Sequence, residues 1–182
     1  MAFVSDSSDT ELVASRLNDN SGVYLVPAFT GIGPPHWNAN ARGTIFGMTR
    51  ETSPDMIVRA GLESVAYQTR DLIAAYNADG IKLTSLRVDG GMSKNNWLMQ
   101  FLSNMSDLPI ERSSNVEATA LGVAMMAGLE LKYWQDETEL KKCLGTTTSF
   151  TPAINDTLRE KLLGGWDNAV KSVLYYAKLS SL

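Results

Sequence analysis

An apolar run that ends in Asp89-Gly90-Gly91 and passes at once into a helical stripe constrains this chain more than any other feature. Leu83 to Val88 reads as a short strand. Two adjacent glycines let the backbone turn through positive φ and leave no Cβ in the way of a close ligand. Asp-Gly is also the commonest short hairpin turn, so the dipeptide alone does not choose between a hairpin and a strand-turn-helix unit. The residues that follow do choose, because Trp97, Leu98, Phe101, Leu102 and Met105 recur at helical spacing. A helix starting beside such a turn offers free N–H groups and the positive end of its dipole, a setting in which a nucleotide can sit.

The rest of the chain supplies the elements around that unit. Ser8 and Glu11 have capping-box spacing, with Leu12, Val13 and Leu17 as a short apolar stripe. Val23 to Val26 and Thr44 to Met48 read as strands, the second weakened by Gly43 and Gly47. Ser53-Pro54 is a strong helix entry, and Val58, Leu62, Val65, Thr69, Leu72, Ile73 and Tyr76 line one face of the helix it opens. Strand Leu83 to Val88, helix Ser93 to Met105, strand Leu108 to Arg112 and helix Val116 to Leu131 then alternate, which predicts a parallel sheet with crossover helices. Beyond Trp134 the spacing predicts helix only, with Leu158, Leu162, Trp166, Ala169, Val170, Val173 and Ala177 on one face.

Composition bounds the function. A chain of 182 residues, 44% hydrophobic and 20% charged, can bury a sizeable core as one domain. The net charge of −4 and scattered Lys and Arg argue against nucleic acid as a partner. The single cysteine, Cys143, has no internal disulfide partner, which fits a reducing compartment; Lys141, Lys142 and Leu144 around it read as a helix end rather than a reactive site. No apolar run approaches the ~18 residues of a membrane span and no signal-peptide core opens the chain, so the expected location is cytoplasmic.

Three further features bear on chemistry. The loop Ala28 to Ala39 holds Thr30, Gly31 and Gly33, which could line a phosphate or polyol, or could belong to a rigid connection anchored by its aromatics. His36, the only histidine, has no carboxylate or thiol partner near it in sequence, so neither a metal nor a general-base role is expected. Glu63 and Asp71 are expected to be solvated or in local salt bridges. The helix from Val116 is poor in bulk at Ala118, Ala120, Gly122, Ala124, Ala127 and Gly128, so a neighbouring backbone can approach; it is either a helix packed on its own sheet or a meeting point of two domains, and both require burial.

Several long motifs carry a family resemblance. Residues 23 to 34 (VYLVPAFTGIGP), 41 to 50 (ARGTIFGMTR), 59 to 71 (RAGLESVAYQTRD), 86 to 96 (LRVDGGMSKNN) and 117 to 128 (EATALGVAMMAG) resemble the FGGY carbohydrate kinases. Met56 departs from the polar residue or His usual there, a surface or cap effect. The resemblance implies an α/β, ribonuclease H-like (actin-like ATPase) domain: a mixed sheet flanked by helices with a helical C-terminal part. It implies ATP or ADP and Mg²⁺ as cofactors, and as acceptor glycerol, with xylulose or gluconate as the siblings' alternatives. Gly90, Gly91 and Asn95 would bind nucleotide, Asp89 would cap or orient the turn, and the small-residue helix would be the second connecting motif at the domain hinge. The phosphate motifs and the catalytic base of this family precede the region seen here, so no residue of this chain is expected to be catalytic or to hold metal. The chain would be a helical lead-in (1–21) and the C-terminal, ATP-side domain (22–182), partnered by an N-terminal kinase domain it does not contain, with self-association through the face that domain covers as a further expectation. A non-catalytic nucleotide-binding module is the alternative from a different class.

Overall fold

The computed structural model describes residues 4–114, 118–136, 138–140 and 146–179. Helix α1 (Asp9–Arg16) leads to strands β1 (Tyr24–Val26) and β2 (Thr44–Phe46), which pair antiparallel with Leu25 opposite Ile45. The long helix α2 (Pro54–Ala78) follows, its N-terminus capped by Ser53 Oγ, which accepts from the Met56 N–H at 3.4 Å. Pro54 at the first helical position loses an N–H that had no partner there. Met56 therefore keeps the cap through its backbone, whatever side chain it carries.

Strand β3 (Leu86–Val88), a 3₁₀ turn (Gly91–Lys94), helix α3 (Asn96–Ser106) and strand β4 (Ile110–Ser113) make the crossover unit, and β3 runs parallel to β4 with Leu86 opposite Ile110. Strand β5 (Thr147–Phe150) then adds antiparallel to β4, so the sheet is mixed, in the order β3-β4-β5. This strand departs from the all-helical reading beyond Trp134. Its residues Thr147, Thr148 and Ser149 are polar and exposed, so it has no apolar alternation to detect and is a strand only because β4 supplies its ladder. Helix α4 (Ala118–Glu130) precedes β5, and helix α5 (Asp156–Leu179) closes the described chain. No described helix is long and apolar enough to cross a membrane.

One core joins these elements. Tyr67 of α2 is at its centre, stacked on Trp166 of α5 at 5.2 Å, edge-on to Phe101 of α3 at 5.5 Å and tilted against Tyr24 of β1 at 5.8 Å. Ala14, Val26, Leu98, Met105 and Ile110 complete it from the other elements. Every one of the apolar positions expected on α3 is buried except Trp97, which is half-buried against Phe101.

Three expectations need correction. Ser8 does not cap α1: it is itself helical, at φ −64° and ψ −26°, and its hydroxyl donates to Asp6 Oδ1 at 2.7 Å. Glu11 faces α3 instead, accepting from Asn96 Nδ2 at 3.0 Å. On α2 the buried face is turned from the expected one; Leu62 and Ile73 are buried, but Leu72 and Tyr76 are exposed and Arg59, Glu63 and Asp71 are buried in their place. Charged residues were read as outward-facing, and partners distant in sequence reverse that. Among its described residues helix α4 is not buried as a whole within this chain: Val123 is 66% and Met126 74% exposed, while Gly128 is covered by the Trp134 ring. Val116, Glu117 and Cys143 with its neighbours lie outside the described residues.

Candidate nucleotide site

The glycine turn opens onto a cavity of about 620 Å³, within the ~300–1,000 Å³ usual for small-ligand pockets. Its floor is apolar, from Leu62 of α2 and Leu98 of α3. One wall is the start of α1, with Ser7, Ser8, Thr10 and Glu11, and the other is the 3₁₀ turn with Gly91, Met92, Lys94 and Asn95. The walls touch where Asn95 Nδ2 donates to Thr10 Oγ1 at 3.4 Å.

Only one glycine of the pair needs its conformation. Gly90 has φ 83°, a backbone that L side chains rarely adopt, while Gly91 opens the 3₁₀ turn without a positive φ. A Cβ at either would meet no protein atom within 4 Å. Gly91 therefore keeps open space inside the cavity, and Gly90 supplies the turn. Asp89 is exposed, and the structure gives its side chain no capping bond to the turn. The turn is closed instead by Ser93, buried, whose N–H and hydroxyl donate to Gly90 O at 3.2 and 2.7 Å. From β4, Arg112 Nη1 donates to Ser93 O at 2.8 Å and to Asn96 Oδ1 at 3.0 Å, bracing the same turn.

The 3₁₀ turn also changes the electrostatics expected of the site. It separates Gly91 from α3, whose N-terminus is already capped: Asn95 Oδ1 accepts from the Leu98 N–H at 2.8 Å. The dipole end and its N–H groups are thus largely used by the protein itself. An apolar floor between walls that carry hydroxyl and amide groups, with one acid (Glu11) and one base (Lys94), can take a planar base and its ribose.

The structure does not bring Thr30, Gly31 or Gly33 to this cavity. Gly31, at φ 100°, is required by its own loop, since a Cβ there would lie 2.8 Å from Asn38 O. Ile32 and Asn38 exchange backbone hydrogen bonds of 2.9 Å across that loop. The loop is held by these backbone bonds rather than by its aromatics: Phe29 and Trp37 are both 76% exposed, and its buried residues are Ala28 and Ile32. His36 gains a partner that its sequence neighbours did not offer, with Nε2 3.9 Å from Asp71 Oδ2. Asp71 is engaged as well by Trp166 Nε1 at 2.8 Å and Arg70 Nη1 at 3.1 Å. Among the described residues no group of three or more His, Cys, Asp or Glu is placed to hold a metal ion.

Glu63 is the most perturbed acid. Burial pushes its carboxyl up to about 7, although Arg59 Nε donates to Oε1 at 2.8 Å and opposes the shift. Asn20 Nδ2 donates to its other oxygen. Burial likewise raises the Tyr67 phenol.

The C-terminal-domain model of the FGGY family of carbohydrate kinases matches residues 4–131. The chain belongs to this family. As an FGGY C-terminal domain it is 47% identical over 175 residues to a glycerol kinase of Clostridium botulinum, covering 96% of the chain and 35% of that protein. It is 45% identical over 177 residues to the glycerol kinase of Bacillus velezensis, covering 97% and 36%. Among solved structures, a Plasmodium falciparum glycerol kinase with ADP superposes with a TM-score of 0.85 at 38% identity, over 94% of the chain and 35% of that one. A xylulose kinase of Lactobacillus acidophilus, at 24% identity and a TM-score of 0.74 over 92% and 34%, shares the fold. The chain thus spans about a third of the length of the curated relatives it matches. The α1 wall, Ser93 and Arg112 were not legible as site residues, because each meets the turn from a distant part of the chain.

Proposed function

We propose that the chain is the ATP-side domain of a cytoplasmic glycerol kinase, with residues 22–182 as the domain and 1–21 as a lead-in that forms one wall of the nucleotide pocket. The observation that carries this reading is the cavity at Gly91, apolar at its floor and open where a side chain at Gly91 would project. The adenosine rests on Leu62 and Leu98 beside Gly91, and the remaining amide hydrogen of Asn95 faces it from the rim. The relatives named glycerol kinase, at 45–47% identity, favour glycerol over a sugar acid or ketose as acceptor. In the whole enzyme the γ-phosphate of MgATP passes to a terminal hydroxyl of glycerol, with the base and most of the Mg²⁺ ligands in an N-terminal domain.

That domain also accounts for the exposed apolar face of α4. Val123, Met126, Leu131 and Tyr133 are all exposed on a helix and turn with hardly a charge, a patch that calls for a partner surface. Packing of α4 against the N-terminal domain would let the two close on the substrates, aligning them and excluding water, which is where phosphoryl transfer draws most of its rate.

Titration of the chain with adenosine, ADP and ATP, followed by amide chemical shifts, tests the pocket. Shifts are expected at Thr10, Gly91, Met92 and Asn95, with ATP bound no more than a few-fold tighter than adenosine. Shifts clustered at His36, or ATP bound far more tightly than adenosine, would refute the assignment.

A further inference from the structure

The buried pair Arg59 and Glu63 joins α1 to α3, the two helices that bound the pocket, without lining it. Arg59 Nη1 donates to two carbonyls at the C-terminal end of α1, Ala14 O at 3.4 Å and Leu17 O. Its Nε is held by Glu63 at 2.8 Å, and its guanidinium lies over the Trp97 ring at 4.9 Å, in the first turn of α3. Glu63 in turn accepts from Asn20, whose amide also donates to Val23 O at 2.7 Å and so fixes the chain between α1 and β1. Arg59 is 10% and Glu63 3% exposed at the side chain. Burying two charges is costly, and a pair of apolar residues would stabilise such a helix interface as well or better. What the pair adds is geometry: one planar cation, with donors at fixed angles, spans α1, α2 and α3 at once.

We propose that Arg59 and Glu63 are positioning residues of the nucleotide pocket, a clasp that sets the distance between its α1 wall and α3, which carries part of its floor. The inference rests on the reading of the Gly91 cavity as the adenosine site. Among the described residues the side-chain hydrogen bonds that join the walls at the rim are Asn95–Thr10 and Asn96–Glu11, so the register of α1 depends also on its anchored far end. Protonation of Glu63 removes the charge that holds Arg59 and makes one of the two accepting oxygens a hydroxyl, a weaker acceptor for the donors that face it. The other titratable groups facing Glu63 are Asp19 from the loop after α1, Tyr24 from β1 and Tyr67 from α2; from α3 and α5 the neighbours of the pair are uncharged, among them Trp97, Gln100, Phe101 and Leu162. Adenosine affinity is therefore tied to the charge of a carboxylate that adenosine does not touch.

Adenosine, which does not titrate near neutrality, is the probe, its binding to the full 182-residue chain measured by calorimetry at pH 6 and pH 8. The wild-type chain is expected to bind at least threefold more weakly at pH 6, where Glu63 carries its proton, and Glu63→Gln, nearly isosteric, should bind equally at both. Arg59→Met should weaken binding at least fivefold, and Arg59→Lys, which keeps the charge but not the planar fork that reaches α1, Glu63 and Trp97 together, should recover little of that loss. Equal affinity of the wild-type chain at both pH values, or an undiminished pH effect in Glu63→Gln, overturns the clasp; if Arg59→Met does not fold, this pH comparison decides alone. Gly91→Trp, which fills the cavity and leaves the clasp intact, separates the two readings. Loss of binding in Gly91→Trp together with a flat wild-type pH profile sinks the clasp and keeps the pocket, whereas no binding by the wild-type chain, or binding unaffected by Gly91→Trp, overturns both.

Discussion

Gly90 and Gly91 are neighbours with the same missing side chain, yet a substitution at each meets a different obstacle. At Gly90 the strain is conformational, so Gly90→Val should lower stability by roughly 1–3 kcal/mol in a denaturant melt without ligand. At Gly91 the backbone accepts a side chain and the space is open. Gly91→Val should melt like wild type, within about 0.5 kcal/mol, and weaken adenosine at least tenfold, about 1.4 kcal/mol. Equal melting losses at both positions would contradict this division. Glu63 offers a second residue-scale test. Its folded pKa, about 7, stands above the ordinary 4.5. The folded state therefore binds the proton more tightly than the unfolded state between those values. The stability contributed is fully present below pH 4.5 and is lost as pH rises through 7, on the order of 3 kcal/mol across the window. Subtracting the pH–stability curve of Glu63→Gln from that of the wild type should leave this fall, and a difference that is flat or rises with pH would exclude it. The proton relieves a buried charge while it loosens the clasp, so stability and adenosine affinity should move in opposite directions with pH.

Among the elements, α4 behaves least like a part of the chain it belongs to. Apolar along nearly its whole length, it leaves Val123 and Met126 in solvent. Changing both to Asp should alter the unfolding free energy of this chain by no more than about 0.5 kcal/mol each, since neither packs here. The same pair placed in a full-length kinase should abolish glycerol phosphorylation or prevent assembly of a folded enzyme. A large loss of stability in the 182-residue chain would mean that α4 packs on its own sheet after all. Helix α3 is the opposite case, since stripe and core agree in it: Asn95 caps it, and Leu98, Phe101, Leu102 and Met105 are buried as their spacing requires.

For the molecule as a whole, the proposed adenosine pocket would not by itself supply phosphoryl transfer. The described residues offer no metal cluster, and phosphoryl transfer needs phosphate cradles, a metal carboxylate and a base together. In a coupled assay with glycerol and MgATP the 182-residue chain should release ADP far below the ~1–100 s⁻¹ of ordinary kinases. Turnover in that range would mean that the catalytic groups lie within these residues.

What the sequence by itself determined were the features written in local periods and local turns: the glycine turn between a strand and a helix, the Ser53-Pro54 entry, the α3 stripe, the parallel β3–β4 crossover and the family to which they point. Tertiary structure alone decided what depends on partners far along the chain. Strand β5 exists because β4 offers it a ladder. Asp71 and Glu63 are inside because Trp166, Arg59 and Asn20 meet them there. The second wall of the pocket is α1, about 85 residues away from Asn95 along the chain. Hydrophobic spacing reports which face of an element turns inward; it carries no record of which other element that face will meet, and a site built between elements is set by that meeting.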